Sequence, residues 1–302
     1  MPAVGFICPD SGRCLFNDCF THCQIADQFP AGRCMALRNL RMIAEQRPWT
    51  GKPSVTQLLK GTREAYLSIT EDYYIDPQGA IFRIIGTKAH AELDKHTGAN
   101  ELGEIRLELE GITGSFDYYE NKSLYDTKTY GSYKAMVCLG YKQVDVPTGE
   151  VYKTDCKSGR KGDPKYRKET VQGEPELTEQ SRQLNMYRMM LEDAGFPVKQ
   201  MFLDISVRDG GIRAATSRGI TQNAYLIPVP MMPDAETLAY FLPKRDALLW
   251  HLATETMPEP CTEDERWQGR KCLNYCNVAE FCDYGREVKG GQPNGNTSQE
   301  SS

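Results

Sequence analysis

No apolar run in this chain is long enough to span a membrane. The stretch from Val4 to Ile7 is also too short for a secretion signal, so the cytoplasm is the expected compartment. Nor is there a surplus of positive charge. A formal net charge of −5 argues against wholesale electrostatic adhesion to nucleic acid and leaves room only for a local basic groove. The chain carries no G-x-x-x-x-G-K-[ST] phosphate loop, so any nucleotide-driven motor acting with it must be a separate chain. Of the four histidines, His22, His96 and His251 belong to no motif and read as structural.

What the chain has in quantity is cysteine, 11 residues in 302. In a reducing compartment that number is poorly explained by disulfides and better explained by metal. Cys8, Cys14, Cys19, Cys23 and Cys34 lie at one end and Cys261, Cys272, Cys276 and Cys282 at the other; Cys138 and Cys156 read as packed or loop thiols. Residues 1–33 have little periodicity and read as a metal-stapled segment with little core of its own. Cys19 and Cys23 would be one turn apart in a helix, and with Cys8 and Cys34 they make a tetrathiolate for Zn²⁺, leaving Cys14 spare. Five thiols allow other quartets, and spacing does not rank them. The C-terminal four suit either zinc or an iron–sulfur cluster.

Leu37, Leu40 and Ala44 recur at helical spacing up to Pro48, and Ser54 can cap one helix running through SVTQLLKGTREAYL. Phe82, Ile84 and Ile85 lead to GTKAHAELD, where a helix is expected to begin at Gly86 with His90 one turn along. Ile105, Leu107 and Leu109 alternate with charged residues, as in a half-buried strand. The stretch from Gly114 to Thr129 then reads as a hairpin turning at Glu120-Asn121-Lys122-Ser123. In its second strand Asp126 and Lys128 are two apart and share a face, while Thr127 points away. Asp117 lies in the first strand, within reach. Carboxylates crowded on one part of a sheet call for a divalent cation.

Residues 130–174 read as an inserted basic hairpin or flap. Lys153, Lys157, Arg160, Lys161, Lys165, Arg167 and Lys168 interleave with Tyr152 and Tyr166 there, a pattern suited to single-stranded nucleic acid. Glu176 to Ala194 is a helix on which Gln183 and Tyr187 share a face with Met190 and Leu191. KQMFLDISVRDG is a further strand, and AYLIPVPM is an edge strand because its prolines forbid a central one. Asp234 to Trp250 is a helix with a kink or break at Pro243, and the tail from Gly290 has a disordered composition. The expected divisions are 1–49 with the zinc site and first helix, 50–257 as the core, 258–289 as the C-terminal cysteine segment and 290–302 as tail.

The order Gly86-x-x-x-His90, Gly114-x-x-Asp117, Asp126-x-Lys128 and Gln183-x-x-x-Tyr187, with a cysteine-rich end, resembles the PD-(D/E)XK nuclease superfamily. The resemblance is to its RecB-type branch, which includes CRISPR-associated and phage-borne single-strand exonucleases with cysteine-bound clusters. It covers roughly residues 54–283 and implies an α/β, restriction-endonuclease-like αβββαβ core with a mixed central sheet. It also implies a Mg²⁺- or Mn²⁺-dependent deoxyribonuclease working in end processing, recombination, repair or phage and mobile-element DNA metabolism. By the same resemblance His90, Asp117, Asp126 and the Thr127 carbonyl hold the ion, Lys128 positions the attacking water, and Gln183 and Tyr187 align the strand. Cys261, Cys272, Cys276 and Cys282 then bind a [4Fe-4S] cluster, with Zn²⁺ the alternative. Relatives place a cysteine on an early helix where this sequence has Gly61 and Thr62, which makes Cys261 the replacement. Implied partners are single-stranded DNA or DNA ends and a helicase, recombinase or integrase. The competing expectation is a DNA-binding or assembly module that keeps the fold without its activity.

Overall fold

A hairpin opens the chain. In this computed structural model, which describes residues 3–23, 32–156 and 159–290, β1 (Gly5–Cys8) pairs antiparallel with β2 (Gly12–Leu15). Gly12 supplies the left-handed turn conformation at φ 78. The helices α1 (Phe16–Thr21) and α2 (Leu37–Ala44) follow. Phe6 and Cys19 are buried with Leu40, Ile43, Ile75 and Ile84 from later segments, and Phe6 meets Phe16 edge-on at 4.7 Å. These apolar residues come from segments far apart in sequence, so no local period displays them.

The helix expected through SVTQLLKGTREAYL is two helices, α3 (Val55–Leu58) and α4 (Thr62–Thr70). Ser54 caps the first in a reciprocal box with Gln57, and Gly61 stands extended at the start of the second. After β3 (Tyr74–Ile75), which runs parallel to β1, comes α5 (Pro77–Leu93). Its start is not Gly86 but the Asp76-Pro77 pair: the Asp76 carboxylate accepts from Gln78 N–H at 2.9 Å and Gly79 N–H at 3.0 Å. Gly86 is therefore mid-helix and His90 lies in the last turn.

The strands β4 (Ile105–Leu109) and β5 (Ile112–Phe116) form a two-stranded sheet, with Ile105 exposed and Leu107 and Leu109 half-buried. Past Asp117, β6 (Tyr118–Glu120) turns into β7 (Ser123–Tyr130). Asn121 and Lys122 have φ of 45 and 65, so the expected hairpin closes on two left-handed residues, whose twist matches that of the strands. α6 (Ser132–Cys138) leads to a long ribbon of β8 (Tyr141–Val151) against β9 (Pro164–Gln172), a hairpin within the stretch where one is expected. α7 (Thr178–Asp193) and β10 (Gln200–Val207) follow, with β10 parallel to β7 from Gln200↔Ser123 to Val207↔Tyr130. α8 (Arg213–Thr216) precedes β11 (Ala224–Pro228), which pairs with β10 at the edge, giving the order β11-β10-β7-β6. α9 (Asp234–Thr254) runs unbroken through Pro243, and α10 (Arg270–Asn274) and α11 (Asp283–Gly290) end the described chain. Gly290 is helical, and the rest of the expected disordered tail lies outside the described residues.

The architecture is mixed α/β in two compact units. One holds residues 1–95, 106–115 and 233–302 as far as they are described; the other holds 96–105 and 116–232. Both cysteine-rich ends fall in the first unit, a grouping no sequence boundary displays. The core of the second is the sheet with α7 against it, where Leu124, Leu184, Met186, Leu203 and Ile205 are fully buried.

Candidate active site and thiol clusters

Alternation along β7 sends Asp126, Lys128 and Tyr130 to one side of the sheet. Lys128 Nζ donates to Asp126 Oδ1 at 2.7 Å. Burial alone would lower the Lys128 ammonium, but the Asp126 and Asp117 carboxylates outweigh it and hold the pKa above the ordinary lysine range. Asp117 stands where the β6–β7 ladder stops at Tyr118↔Tyr125, and its Oδ2 accepts the next amide, Thr127 N–H, at 2.7 Å. That bond fixes Asp117 beside β7. The other Asp126 oxygen, Oδ2, is buried with no hydrogen-bond partner. An orphaned carboxylate oxygen next to a second carboxylate is the donor set that a hard divalent cation takes, so these residues fit Mg²⁺ or Mn²⁺.

α7 supplies the facing wall. Gln183 Nε2 donates to Tyr187 Oη at 3.2 Å, both residues being buried. The Tyr187 hydroxyl is pushed up to about 12, first by burial and further by the nearby Asp126 and Asp117 charges, against the opposing effects of Gln183 and Lys128. Two further residues belong to this wall and were absent from the sequence reading. Gln180 Nε2 donates to Tyr130 Oη at 3.0 Å, and Gln180 Oε1 is buried without a partner. Continuing the alternation from Lys128 to Tyr130, and the helical spacing back from Gln183 to Gln180, would have found both. All of these residues belong to the second unit; His90, on α5, belongs to the first.

The C-terminal cysteines meet in the first unit. Cys261, Cys272, Cys276 and Cys282 line one cavity of about 20 Å³ with Arg63, Glu64 and Lys271. A Cβ placed on Gly61 would overlap the Cys261 sulfur and lie 2.8 Å from its Cβ, so the thiol of 261 fills the space a residue-61 side chain would take. Arg63 Nη1 points to Cys282 Sγ at 3.7 Å, and Lys271 Nζ pairs with Glu64 Oε2 at 2.6 Å. Burial raises the thiol of Cys276 to about 12, with Glu64 and the neighbouring thiols adding to it. Arg63, Glu64 and Lys271 are charged residues that the sequence reading passed over. Nothing local marks them, because their role depends on a segment some two hundred residues away.

The N-terminal thiols also converge. Cys8, Cys14, Cys19, Cys23 and Cys34 all line a cavity of about 440 Å³, with His22 and Asp18 at its wall. Cys19 lies in α1 and Cys23 beyond its end, so the two are not on one helical face. Burial lifts the Cys19 thiol to about 11, with Cys14, Cys23 and Cys34 adding to the rise. Among the described residues no three His, Cys, Asp or Glu side chains already form a closed ligand set, so at either cluster the sulfurs would have to draw together around an ion.

Along the ribbon, Lys153, Arg160, Lys161, Arg167 and Lys168 are exposed and Lys165 is half-buried; Lys157 lies outside the described residues. Acidic residues interleave with them: Lys165 pairs with Glu150 at 3.0 Å and Arg167 with Glu169 at 2.5 Å, while Lys168 stands opposite Asp145. Lys165 also lies over the Tyr152 ring at 5.8 Å, and Tyr166 is exposed. His96 sits in a short 3₁₀ turn, and His251 Nδ1 faces the Thr256 carbonyl at 2.9 Å. Among the described residues no helix is long and apolar enough to cross a membrane.

No family model matches this chain, and none of the curated proteins does. Among solved structures, the crystal structure of SSO0001 is similar to it, with a TM-score of 0.39 and 15% identity, over 82% of this chain and 92% of that one.

Proposed function

We propose that the chain is a Mg²⁺- or Mn²⁺-dependent deoxyribonuclease with a restriction-endonuclease-like core, acting as an exonuclease on single-stranded DNA or DNA ends. The observation that carries this reading is the buried Asp126 side chain, with one oxygen bonded to Lys128 at 2.7 Å and the other unpartnered, beside Asp117. The parallel pairing of β7 with β10, with α7 between them in the chain, supports it, since it matches the βαβ end of the core that the sequence motifs imply.

Asp117 and Asp126 would hold the ion, with the Thr127 carbonyl as a further ligand the motif implies. Such an ion supplies charge neutralisation at the scissile phosphate and a more acidic attacking water. Lys128, bonded through its ammonium to Asp126 Oδ1 at 2.7 Å, would stand as a positive charge beside the ion. Its ammonium orients the water and stabilises charge developing on the phosphate. The Gln183–Tyr187 pair presents an amide and a hydroxyl that align the strand for in-line attack. The four C-terminal thiols would carry a [4Fe-4S] cluster, or Zn²⁺ in its place, whose role is to fasten a segment of short elements. The ribbon would lend ammonium groups and tyrosine rings to a single strand, and a separate helicase, recombinase or integrase would supply any motor.

The test is digestion of end-labelled single-stranded DNA by anaerobically purified protein with Mg²⁺ or Mn²⁺. Asp126→Asn, which keeps the shape of the side chain, should lower cleavage by about a thousandfold, the scale of losing a preorganised electrostatic group. A variant as active as the parent, or a parent that binds DNA without cleaving it, sinks the reading. The second result leaves the binding or assembly module.

A further inference from the structure

The N-terminal thiol cavity is separate from the residues that carry the proposed hydrolysis, and its construction points to a ligand of its own. Five sulfurs reach it from five places along the chain: Cys8 from the end of β1, Cys14 from β2, Cys19 from α1, and Cys23 and Cys34 from the segments flanking residues outside the described set. On the hairpin, Cys14 stands opposite Phe6, and Cys8 follows Phe6 by two, so Cys8 and Cys14 share the face that Phe6 turns inward. Arg33 ties the approach of Cys34 to α1, donating from Nη1 to the Cys19 carbonyl at 2.9 Å and from Nη2 to the Phe20 carbonyl at 3.3 Å.

The elements gathered here are short: four residues in each of β1 and β2, six in α1 and eight in α2. Helices and hairpins of that length do not hold themselves in water. The apolar cluster around Phe6, Leu40 and Ile43 secures one side of them. On the thiol side the cavity of about 440 Å³ has sulfur donors where packed side chains would otherwise stand. Sulfur donors in excess of three, with room between them, suit a soft, tetrahedral, redox-inert cation.

We propose that four of the five N-terminal thiols bind one Zn²⁺, which closes the hairpin and α1 onto the segment leading into α2, and that this site is independent of the C-terminal four. Binding draws four of the sulfurs together, and the fifth thiol remains outside the coordination.

The experiment uses the full chain as purified. Zinc is measured by mass spectrometry of the metal, and thiol alkylation is followed peptide by peptide before and after chelation. The expected result is one equivalent of zinc that persists in Cys272→Ser. Four of the N-terminal cysteines should be slow to alkylate until chelator is added, with at least a tenfold change in rate, and one should be indifferent. Replacing the zinc by Co²⁺ in the same preparation should give the intense visible bands of tetrahedral thiolate coordination. If all five thiols alkylate equally with and without chelator, the proposal fails. It fails equally if they open to reductant rather than chelator, which would make them disulfides, or if Cys272→Ser removes every equivalent of zinc. None of these results depends on DNA cleavage, so the proposal and the nuclease reading stand or fall separately.

Discussion

The carboxylate–lysine site and the thiol clusters are built in opposite ways. Asp126, Lys128 and Tyr130 are delivered by simple alternation along a strand paired with β10 over its whole length, and α7 lays Gln180, Gln183 and Tyr187 against them. The frame exists whether or not the functional side chains are there. The thiols instead sit on elements of four to six residues, as Cys8, Cys14, Cys19 and Cys272 do, or on the connections between elements, and they line cavities. A site carried by a sheet separates function from folding, whereas a site made of thiols merges them.

The largest effect expected from that contrast is at the C-terminal cluster. Cys276→Ser, or chelation, should cost on the order of 10 kcal/mol of metal-linked stability. The loss would be read as protease sensitivity of residues beyond α9 while the second unit keeps its own unfolding transition. A single transition lost as a whole would break the contrast.

Next, Lys128→Ala should lower stability by about 3 kcal/mol, because it leaves the Asp126 carboxylate buried and unpaired. Lys128→Ala combined with Asp126→Asn should regain most of that stability and none of the cleavage, as seen by urea denaturation alongside the digestion assay. Recovery of both would mean that Lys128 is only structural.

A smaller change is expected at Gly61, where a Cβ must displace the Cys261 sulfur. Gly61→Ala should cost about 1–3 kcal/mol through overpacking. Gly61→Cys in a Cys261→Ala background should restore metal content, since the new sulfur starts from the position the old one vacates. No restoration would show that the two positions do not exchange as ligands.

The smallest effect concerns the frame of the second unit. Asp209, just past β10, accepts from the Ser132 hydroxyl at 2.7 Å and from the Ser132 amide, capping α6. Partial burial pushes its carboxyl up, but these bonds and Arg218 hold it below the ordinary range. A carboxyl depressed on folding adds stability above its unfolded pKa and loses it as the pH falls through the folded value. Asp209→Asn should therefore cost about 1 kcal/mol near neutrality and flatten the stability curve on the acid side. An unchanged acid slope would assign it to other carboxylates.

Much of the second unit was legible in the sequence because its signals are local. Asn121 marked the turn, the two-residue spacing of Asp126 and Lys128 fixed their face, and the insertion, α7 and the edge strand at Ala224–Pro228 all fall where their patterns put them. The first unit was legible mainly as composition. Gly61 splits a helix for the sake of a thiol two hundred residues away, and the core around Phe6 is assembled from β3, α2 and α5. α5 itself begins at Pro77, well ahead of Gly86, since an Asp-Pro cap outweighs a glycine that a helix tolerates. Tyr130 and Gln180 were missed for a different reason: a tyrosine and a glutamine are informative only once they are seen to bond across the sheet.

The strand edges carry a further consequence, for solubility. In the four-stranded sheet the outer strand β6 has three residues and is bridged by Leu102, while β11 ends at Pro228 with Pro230 close behind, so neither edge offers a long ladder to another copy. The ribbon has no such cover. Among the described residues, its strands of eleven and nine residues pair only with each other, leaving two free edges over most of their length. The alternation of Lys165, Arg167 and Lys168 with Glu150, Glu169 and Asp145 sets charge along those edges, which disfavours edge-to-edge pairing of copies. Stripping those lysines and arginines to test for nucleic-acid contact would also strip the guard from the edges, so the variants must be compared as monomers of equal solubility before any loss of binding is read as loss of contact.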